Sequence, residues 1–311
     1  MVHADMVRTA LARVLRARDI SLTMVQGDTS SALGGALAAQ DVGCRLAHVE
    51  AGLRTHDPRQ PWPEEENRTR IDALADLMFA PTQGNAANLF HEKVQGVVHV
   101  TGNPGIDALA EVVGSLPIKR RRRWFRKRRM DLLVTCHRRE NWGDGLDNLA
   151  RALIQLGGDP GIAIDVVLHP NPVVAETMWL LMGQVPTIRL IPPQSYQTMI
   201  GRMRRADLIL SDSGGMQEEA PSLGVPLLLL RDKTERPEAL ASGSMEIVGT
   251  EQAAIVAAVR RIRTDKALLD RMSRSCMPFG DSRSAPRIAA LTLAFLEELS
   301  FDREDGLPLR A

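Results

Sequence analysis

Short runs of β-branched and aliphatic residues recur along this 311-residue chain, separated by stretches whose apolar positions repeat at helical spacing. The runs predict strands over Ile20–Gln26, Arg45–Val49, Leu77–Ala80, Val97–Val100, Asp131–Thr135, Ala163–Leu168, Thr187–Ile191, Asp207–Ser211 and Val225–Leu230. The helical spacings predict helices over Asp144–Leu156, Ser195–Arg205, Glu251–Thr264, Lys266–Ser275 and Ser284–Leu299, with another near Pro104–Val113. Uninterrupted apolar strands that alternate with helices imply parallel sheets buried on both faces. This is an α/β doubly wound architecture with right-handed crossovers. The start, MVHADMVRTALARVLRARD, reads as an amphipathic helix, because Arg breaks its apolar positions too often for a signal peptide. No apolar run approaches the roughly 18 residues of a membrane span.

Composition narrows this picture. The length suits two domains. Aromatic residues are 4% of the chain, with one Tyr, so the core is built from Leu, Ile, Val, Ala and Met. Basic and acidic residues number 39 and 38, a net charge of +1, which argues against a nucleic-acid or membrane-surface protein as a whole. Three widely spaced cysteines, Cys44, Cys136 and Cys276, exclude a disulfide scaffold and fit a reducing cytoplasm. The near-neutral balance hides one strongly basic segment, Lys119–Met130 (KRRRRWFRKRRM), nine of whose first eleven residues are basic. It reads as an interdomain linker. Residues 119–129 form either a solvated connector or a weak contact with anionic lipid or nucleic acid, with Trp124 and Phe125 dipping into an interface.

In open α/β sheets ligands sit beyond the carboxyl ends of strands. Polar groups collect there: Gly27-Asp28-Thr29 after the first predicted strand, Glu50-Ala51-Gly52 after the second, His137-Arg138-Arg139-Glu140, His169-Pro170-Asn171, Asp212-Ser213-Gly214-Gly215, and Arg231 to Glu238. The natural site is the cleft between the two sheets. Ser213, Gly214 and Gly215 at a strand-to-helix turn either make a tight turn or hold a phosphate at a helix N-terminus. Glu219, one helical turn on, either complements the helix dipole or accepts from a ribose diol. Arg231 and Arg236 either neutralise a diphosphate or form surface salt bridges. Asp28 and Glu50 end neighbouring strands. Glu64, Glu65 and Glu66 open a helix after Pro63, where acids are ordinarily dipole partners. Carboxylates sharing a cleft can also divide into an acid and a base. His137 is either structural or part of that rim. There is no Ser-His-Asp spacing, P-loop, zinc pattern or G-x-G-x-x-G, so no metal, nicotinamide or other cofactor is indicated.

Read together, VQGDTSS, HVEAGLRT, WPEEENRTRIDALAD, TGNPGIDAL, HRRENWG, HPNP, LSDSGGMQEEAPSLGVPLLLLRDKTERPEAL and PFGD resemble the non-hydrolysing UDP-N-acetylglucosamine 2-epimerase family from about Met6 to Glu298. The resemblance implies two Rossmann-like domains in a GT-B arrangement with the site between them. The expected division is residues 1–116, a basic linker at 117–130, a UDP-binding domain at 131–283, and a terminal helix and tail at 284–311 that cross back to the first domain. It implies interconversion of UDP-GlcNAc and UDP-ManNAc by anti elimination of UDP to 2-acetamidoglucal and re-addition, in a cytoplasmic homodimer serving cell-envelope polysaccharide synthesis. By motif, Asp28, Glu50 and Glu64 match the acid/base carboxylates, and His137 a catalytic or phosphate-contacting histidine. Ser213, Gly214 and Gly215 match the diphosphate loop, Glu219 the ribose ligand, and Arg236 a nucleotide-contacting arginine. Gln194 and Met199 fall in the uridine-binding stretch.

The sequence departs from the family in three places. Cys136 stands where Gly usually precedes the histidine, and is expected to crowd that turn. Met199 replaces an aromatic near the uracil; it loses stacking but can still cover a ring face. The family's opening residues, about 60 to 70 with a GTRPE loop and a TGQH-like segment tied to an allosteric second UDP-GlcNAc, have no counterpart, so an incomplete N-terminal domain with an exposed sheet edge is expected. Two alternatives follow: a hydrolysing relative that releases ManNAc and UDP, and a catalytically impaired UDP-sugar-binding fragment. A plain GT-B glycosyltransferase needs fewer carboxylates than Asp28, Glu50 and Glu64 supply.

Overall fold

The computed structural model describes residues 2–117 and 129–304. They divide into two compact units, Met1–Asp107 with Phe279–Ala311, and Ala108–Pro278. Most of the basic segment, and with it the linker reading, lies outside the described residues. At its end Arg129 Nε donates to Ile162 O at 3.0 Å.

In the first unit, β1 (Leu22–Gln26), β2 (Arg45–Val49), β3 (Leu77–Ala80) and β4 (Val97–Val100) lie side by side in chain order, all parallel. The helices α1 (Val2–Arg16), α2 (Ser30–Val42), α3 (Glu64–Leu74), α4 (Gln83–His91) and α5 (Pro104–Ser115) punctuate this part of the chain. Thr29 starts α2 by accepting from Ala32 N at 3.1 Å, and Gly43 ends it at φ +69°. At Gly34, in the middle of α2, a Cβ would lie 2.6 Å from Ala4 O and 2.7 Å from Val7 Cβ, so only glycine lets α1 pack this closely.

One core of this unit gathers Leu33, Ala36, Leu46, Ile71, Met78 and Leu89. A second, of Ala47, Val49, Leu77, Phe79 and Ile288, is closed by Leu291 and Phe295. The last three belong to α13 (Ser284–Glu304). That helix begins on Asp107, whose carboxylate accepts from Ser284 N at 3.0 Å and Ala285 N at 2.7 Å. β3 is buried on both faces as the apolar run predicts, whereas β1 and β4 form the edges and are only part-covered.

The second unit holds β5 (Met130–Thr135), β6 (Ile162–Val167), β7 (Ile188–Ile191), β8 (Leu208–Ser211), β9 (Leu227–Leu229) and β10 (Met245–Ile247) in the order β10-β9-β8-β5-β6-β7, all parallel. Its helices are α6 (Asp144–Gly157), α7 (Pro172–Met182), α8 (Tyr196–Met203), α9 (Gly214–Leu223), α10 (Pro237–Ala241), α11 (Gln252–Thr264) and α12 (Lys266–Met272). Leu132, Val134, Leu149, Leu153, Ile164, Val166, Leu210 and Val259 fill the core. From β5 the chain builds outward through β6 and β7, then returns to β8 and builds the other way. β5 and β8 therefore flank a topological switch point, the place where doubly wound sheets bind ligands beyond the carboxyl ends of their strands. The nine expected strands all form, within two residues at every end. β10 has no counterpart in the sequence reading, because three residues paired only to β9 leave no periodic signal. Among the described residues, no helix is long and apolar enough to cross a membrane.

Candidate active site

The switch point of the second unit is organised by a carboxylate. Asp212, buried just past β8, accepts from His137 N at 2.9 Å, Arg138 N at 2.8 Å and Asn141 Nδ2 at 2.9 Å. Asn141 Nδ2 also donates to Leu230 O at 3.0 Å, so the ends of β5, β8 and β9 are stitched into one rim. Beneath it, the hydroxyls of Thr135 and Ser211 pair at 2.6 Å. Cys136 is buried at the turn without the strain its substitution for Gly suggests. It is not among the residues with positive φ, so the backbone there has no need of glycine. Burial pushes its thiol well up, and the charge of Asp212 adds to the effect.

Ser213 starts α9 without a side-chain capping bond. A Cβ on Gly214 would lie 3.1 Å from Arg236 Nη1 and 3.4 Å from Arg138 Nη2, so two guanidinium groups converge on the positive end of the helix. The space beside Gly215 is open. Arg236 and Arg231 are both buried, which excludes the surface salt-bridge alternative. Arg236 Nε donates to Glu218 Oε1 at 2.6 Å and Nη1 to Glu235. Arg231 donates to Glu140 at 3.0 Å and Glu235 at 2.9 Å. Glu218 and Glu235 fix the Arg236 guanidinium plane, so this cation meets the helix end preorganised.

His137 stands on the same rim, its ring edge-on to His169 with centroids 4.9 Å apart. His169 Nδ1 accepts from Asn171 N at 2.8 Å, which places its proton on Nε2. Burial and the neighbouring His137 lower its basicity. Glu219 lies further along α9 and accepts from the Tyr196 hydroxyl at 2.9 Å. Burial raises its pKa, against the pull of that hydrogen bond. Gln194, beyond β7, donates to Pro192 O at 2.6 Å and accepts from Arg202 Nε at 3.2 Å. Met199 is half-buried on α8.

In the first unit, Asp28 and Glu50 flank one glycine. Gly27 turns the chain out of β1 at φ +67°, and a Cβ there would lie 3.3 Å from Glu50 Oε2. Glu50 itself holds φ +73°, a conformation unusual for a side-chain-bearing residue, with its N–H bonded to Phe79 O at 3.1 Å. Arg68 on α3 donates to Asp28, and Asn67 Nδ2 donates to Asp28 O at 2.8 Å. Glu64 opens α3, four residues before Arg68 and so on the same side of the helix. Behind these groups lies a buried ion network. Glu65 accepts from Arg68 Nη1 at 3.0 Å and from Thr55 N and His56 N, both at 2.9 Å. Asp72 meets His48 Nδ1 at 2.5 Å, Arg54 Nη2 at 2.7 Å and Gly52 N at 3.2 Å. Burial opposes the Asp72 charge, yet His48 and Arg54 hold its pKa below the ordinary value.

The structure thus brings Asp28, Glu50 and Glu64 around α3 and β1, and His137, Ser213, Gly214, Gly215 and Arg236 around the second unit's switch point. Glu219, Gln194 and Met199 stand on α9, after β7 and on α8. The sequence reading gives no role to His48, Arg54, Arg68 or Asp72, takes Glu65 and Glu218 as helix-dipole partners, and leaves Arg138, Asp212 and Glu235 as rim groups without an assigned task. A signal for three of them exists: residues 65, 68 and 72 repeat at i, i+3, i+7, a polar stripe at the spacing of a buried helix face. Among the described residues, no group of three or more His, Cys, Asp or Glu is placed to hold a metal.

Residues 3–293 match the family profile described as UDP-N-acetylglucosamine 2-epimerase. The chain belongs to that family. The UDP-N-acetylglucosamine 2-epimerase of Salmonella typhimurium is 40% identical over 283 residues, 86% of this chain and 74% of that protein. The Escherichia coli K12 enzyme of the same name is 40% identical over 277 residues, again 86% and 74%. Among solved structures, UDP-GlcNAc 2-epimerase from Neisseria meningitidis bound to UDP-GlcNAc superposes with a TM-score of 0.88 at 35% identity, covering 94% of this chain and 81% of that one. The Methanocaldococcus jannaschii epimerase in complex with UDP-GlcNAc and UDP gives 0.82 at 31% identity, covering 94% and 80%. This family member is accordingly an enzyme of the isomerase class, built on two α/β units with parallel sheets.

Proposed function

We propose that this chain interconverts UDP-GlcNAc and UDP-ManNAc by anti elimination and re-addition, without net hydrolysis. The observation that carries the reading is the convergence of Arg236 and Arg138 on the N-terminus of α9 at Gly214, a cradle suited to a diphosphate. There Ser213, Gly214 and Gly215 hold the diphosphate by backbone N–H groups, Arg236 neutralises it, and His137 stands on the same rim. Glu219 accepts from the ribose, while Gln194 and Met199 serve the uracil. The first unit supplies the proton chemistry.

A carboxylate among Asp28, Glu50 and Glu64 takes the proton from C2. The C2–H electrons form the C1=C2 double bond as the C1–O bond breaks, and UDP departs with those bonding electrons. Another carboxylate delivers a proton to the opposite face of C2, and the diphosphate oxygen attacks C1. Charge is balanced at each stage, because one proton leaves and one returns. The chain's own acids, bases and cations suffice for every step.

The resemblance also supports a homodimer. The three dispersed free cysteines support a cytoplasmic location. The test is product analysis after incubation with UDP-GlcNAc. UDP-ManNAc at equilibrium with substrate is expected. Free ManNAc with stoichiometric UDP would instead assign the hydrolysing reaction, and UDP-sugar binding without turnover would leave a binding fragment.

A further inference from the structure

The three candidate carboxylates of the first unit stand on three elements: Asp28 after β1, Glu50 after β2 and Glu64 on α3. One side chain joins all three. His48, the penultimate residue of β2, is fully buried. Its Nε2 lies 3.0 Å from Gly27 O, in the turn that carries Asp28, and its Nδ1 lies 2.5 Å from Asp72 Oδ1, on the helix that carries Glu64. The carbonyl can only accept, so Nε2 carries a hydrogen. Asp72, already facing the Arg54 guanidinium and Gly52 N, is an acceptor too, so Nδ1 donates as well.

The imidazole sets two rigid, opposed ring nitrogens between these two acceptors. Gln or Asn satisfies one partner and turns a carbonyl oxygen toward the other. Packing alone explains a buried residue here but not this one: an apolar side chain would leave Gly27 O and Asp72 short of a donor. The link is also directional. Gly27 is the residue whose Cα faces Glu50 Oε2, so a shift of the Gly27 carbonyl moves Asp28 and the neighbour of Glu50 together.

We infer that His48 is a positioning residue for the proton-transfer step, locking the turn of Asp28, the end of β2 at Glu50 and the helix of Glu64 into one geometry through its two N–H groups. It touches no reacting atom and acts through the residues it holds. The inference rests on the epimerase reading above. Proton transfer tolerates little displacement, and a misplacement of about 1 Å costs on the order of 100-fold in rate. Diphosphate binding, which the second unit carries out, has no reason to respond.

The test compares wild type, His48→Gln and His48→Ala for epimerisation kinetics, UDP affinity by titration calorimetry, and melting temperature. The expected result is a fall in kcat of about 100-fold for His48→Ala, less for His48→Gln, with UDP affinity and KM each within about twofold of wild type. If His48→Ala does not fold, His48→Gln, which keeps one donor, decides. An active wild type matched within about twofold by a folded His48→Gln variant overturns the positioning role alone. So does a variant whose kcat and UDP affinity fall in parallel, as a general structural defect would produce. A folded wild type that binds UDP but does not epimerise overturns the functional reading, and the positioning role with it.

Discussion

Arg68 donates to the carboxylate of Asp28, forty residues away in the chain, while its Nη1 donates to Glu65 at 3.0 Å. One buried guanidinium thus joins the turn after β1 to the first turn of α3, and it is paired directly with a candidate catalytic carboxylate. Its removal leaves Glu65 buried with backbone donors alone.

Arg68→Met is therefore expected to lower stability strongly, by about 3–5 kcal/mol, the range for breaking a buried ion pair from one side. Urea unfolding measures it as a drop in the midpoint with little change in slope. A loss under about 1 kcal/mol would mean that the network contributes no more than surface pairs do.

Gly214→Ala is expected to weaken UDP binding by at least about tenfold, or roughly 1.4 kcal/mol. The added methyl would stand between the helix end and the guanidinium groups of Arg236 and Arg138, where the diphosphate is proposed to sit. Calorimetric titration with UDP checks this, and an unchanged affinity would move the phosphate away from Gly214. The fold should survive, since contacts of 3.1 and 3.4 Å ask only a few tenths of an ångström of the guanidinium groups and no backbone atom is met.

How much of this was readable beforehand depends on what each residue buries. β2 and β3 end where their apolar runs end, because inner parallel strands are defined by those runs. The glycines and serine of the α9 turn stood out because their chemistry is local. α3 misleads. The acids that open EEENRTRIDAL read as dipole partners or as carboxylates sharing a cleft, yet Glu65, Arg68 and Asp72 face inward as a buried ion network. The i, i+3, i+7 spacing of 65, 68 and 72 marks a shared helix face, but nothing local says whether that face meets water or partners dozens of residues away. Asp28 with Arg68, His48 with Asp72 and Arg54 with Glu92 become visible only when the sheet assembles.

Glu219→Gln is expected to alter the pH dependence of stability. Burial raises the Glu219 pKa above the ordinary 4.5, despite the Tyr196 hydrogen bond. The folded chain therefore holds this proton more tightly than the unfolded one. The associated stability is complete below pH 4.5 and is lost as pH rises through the higher folded value. Gln keeps an acceptor for Tyr196 but never ionises. The variant should match wild type near pH 4 and melt at a higher temperature at pH 7. Its UDP affinity should fall, because a neutral amide accepts less strongly from a ribose hydroxyl.

Gly34→Ala probes the seam between α1 and α2. A methyl group there meets Ala4 O and Val7 Cβ at 2.6 and 2.7 Å, so α1 must lift away. Overpacking of this kind costs about 1–3 kcal/mol. Thermal melting should show the loss, whereas Gly215→Ala, which meets open space, should barely change the melting temperature.

The central claim is proton exchange at C2 during reversible loss of UDP. Incubation with UDP-GlcNAc in heavy water, followed by NMR or mass spectrometry of the sugars, measures it directly. The account predicts one deuterium at C2 of UDP-ManNAc and, at equilibrium, at C2 of recovered UDP-GlcNAc. Incorporation should fall by about 100-fold or more in Asp28→Asn or Glu50→Gln. Formation of UDP-ManNAc that keeps its original C2 hydrogen would contradict the elimination, and with it the roles given to the carboxylates around Gly27 and α3.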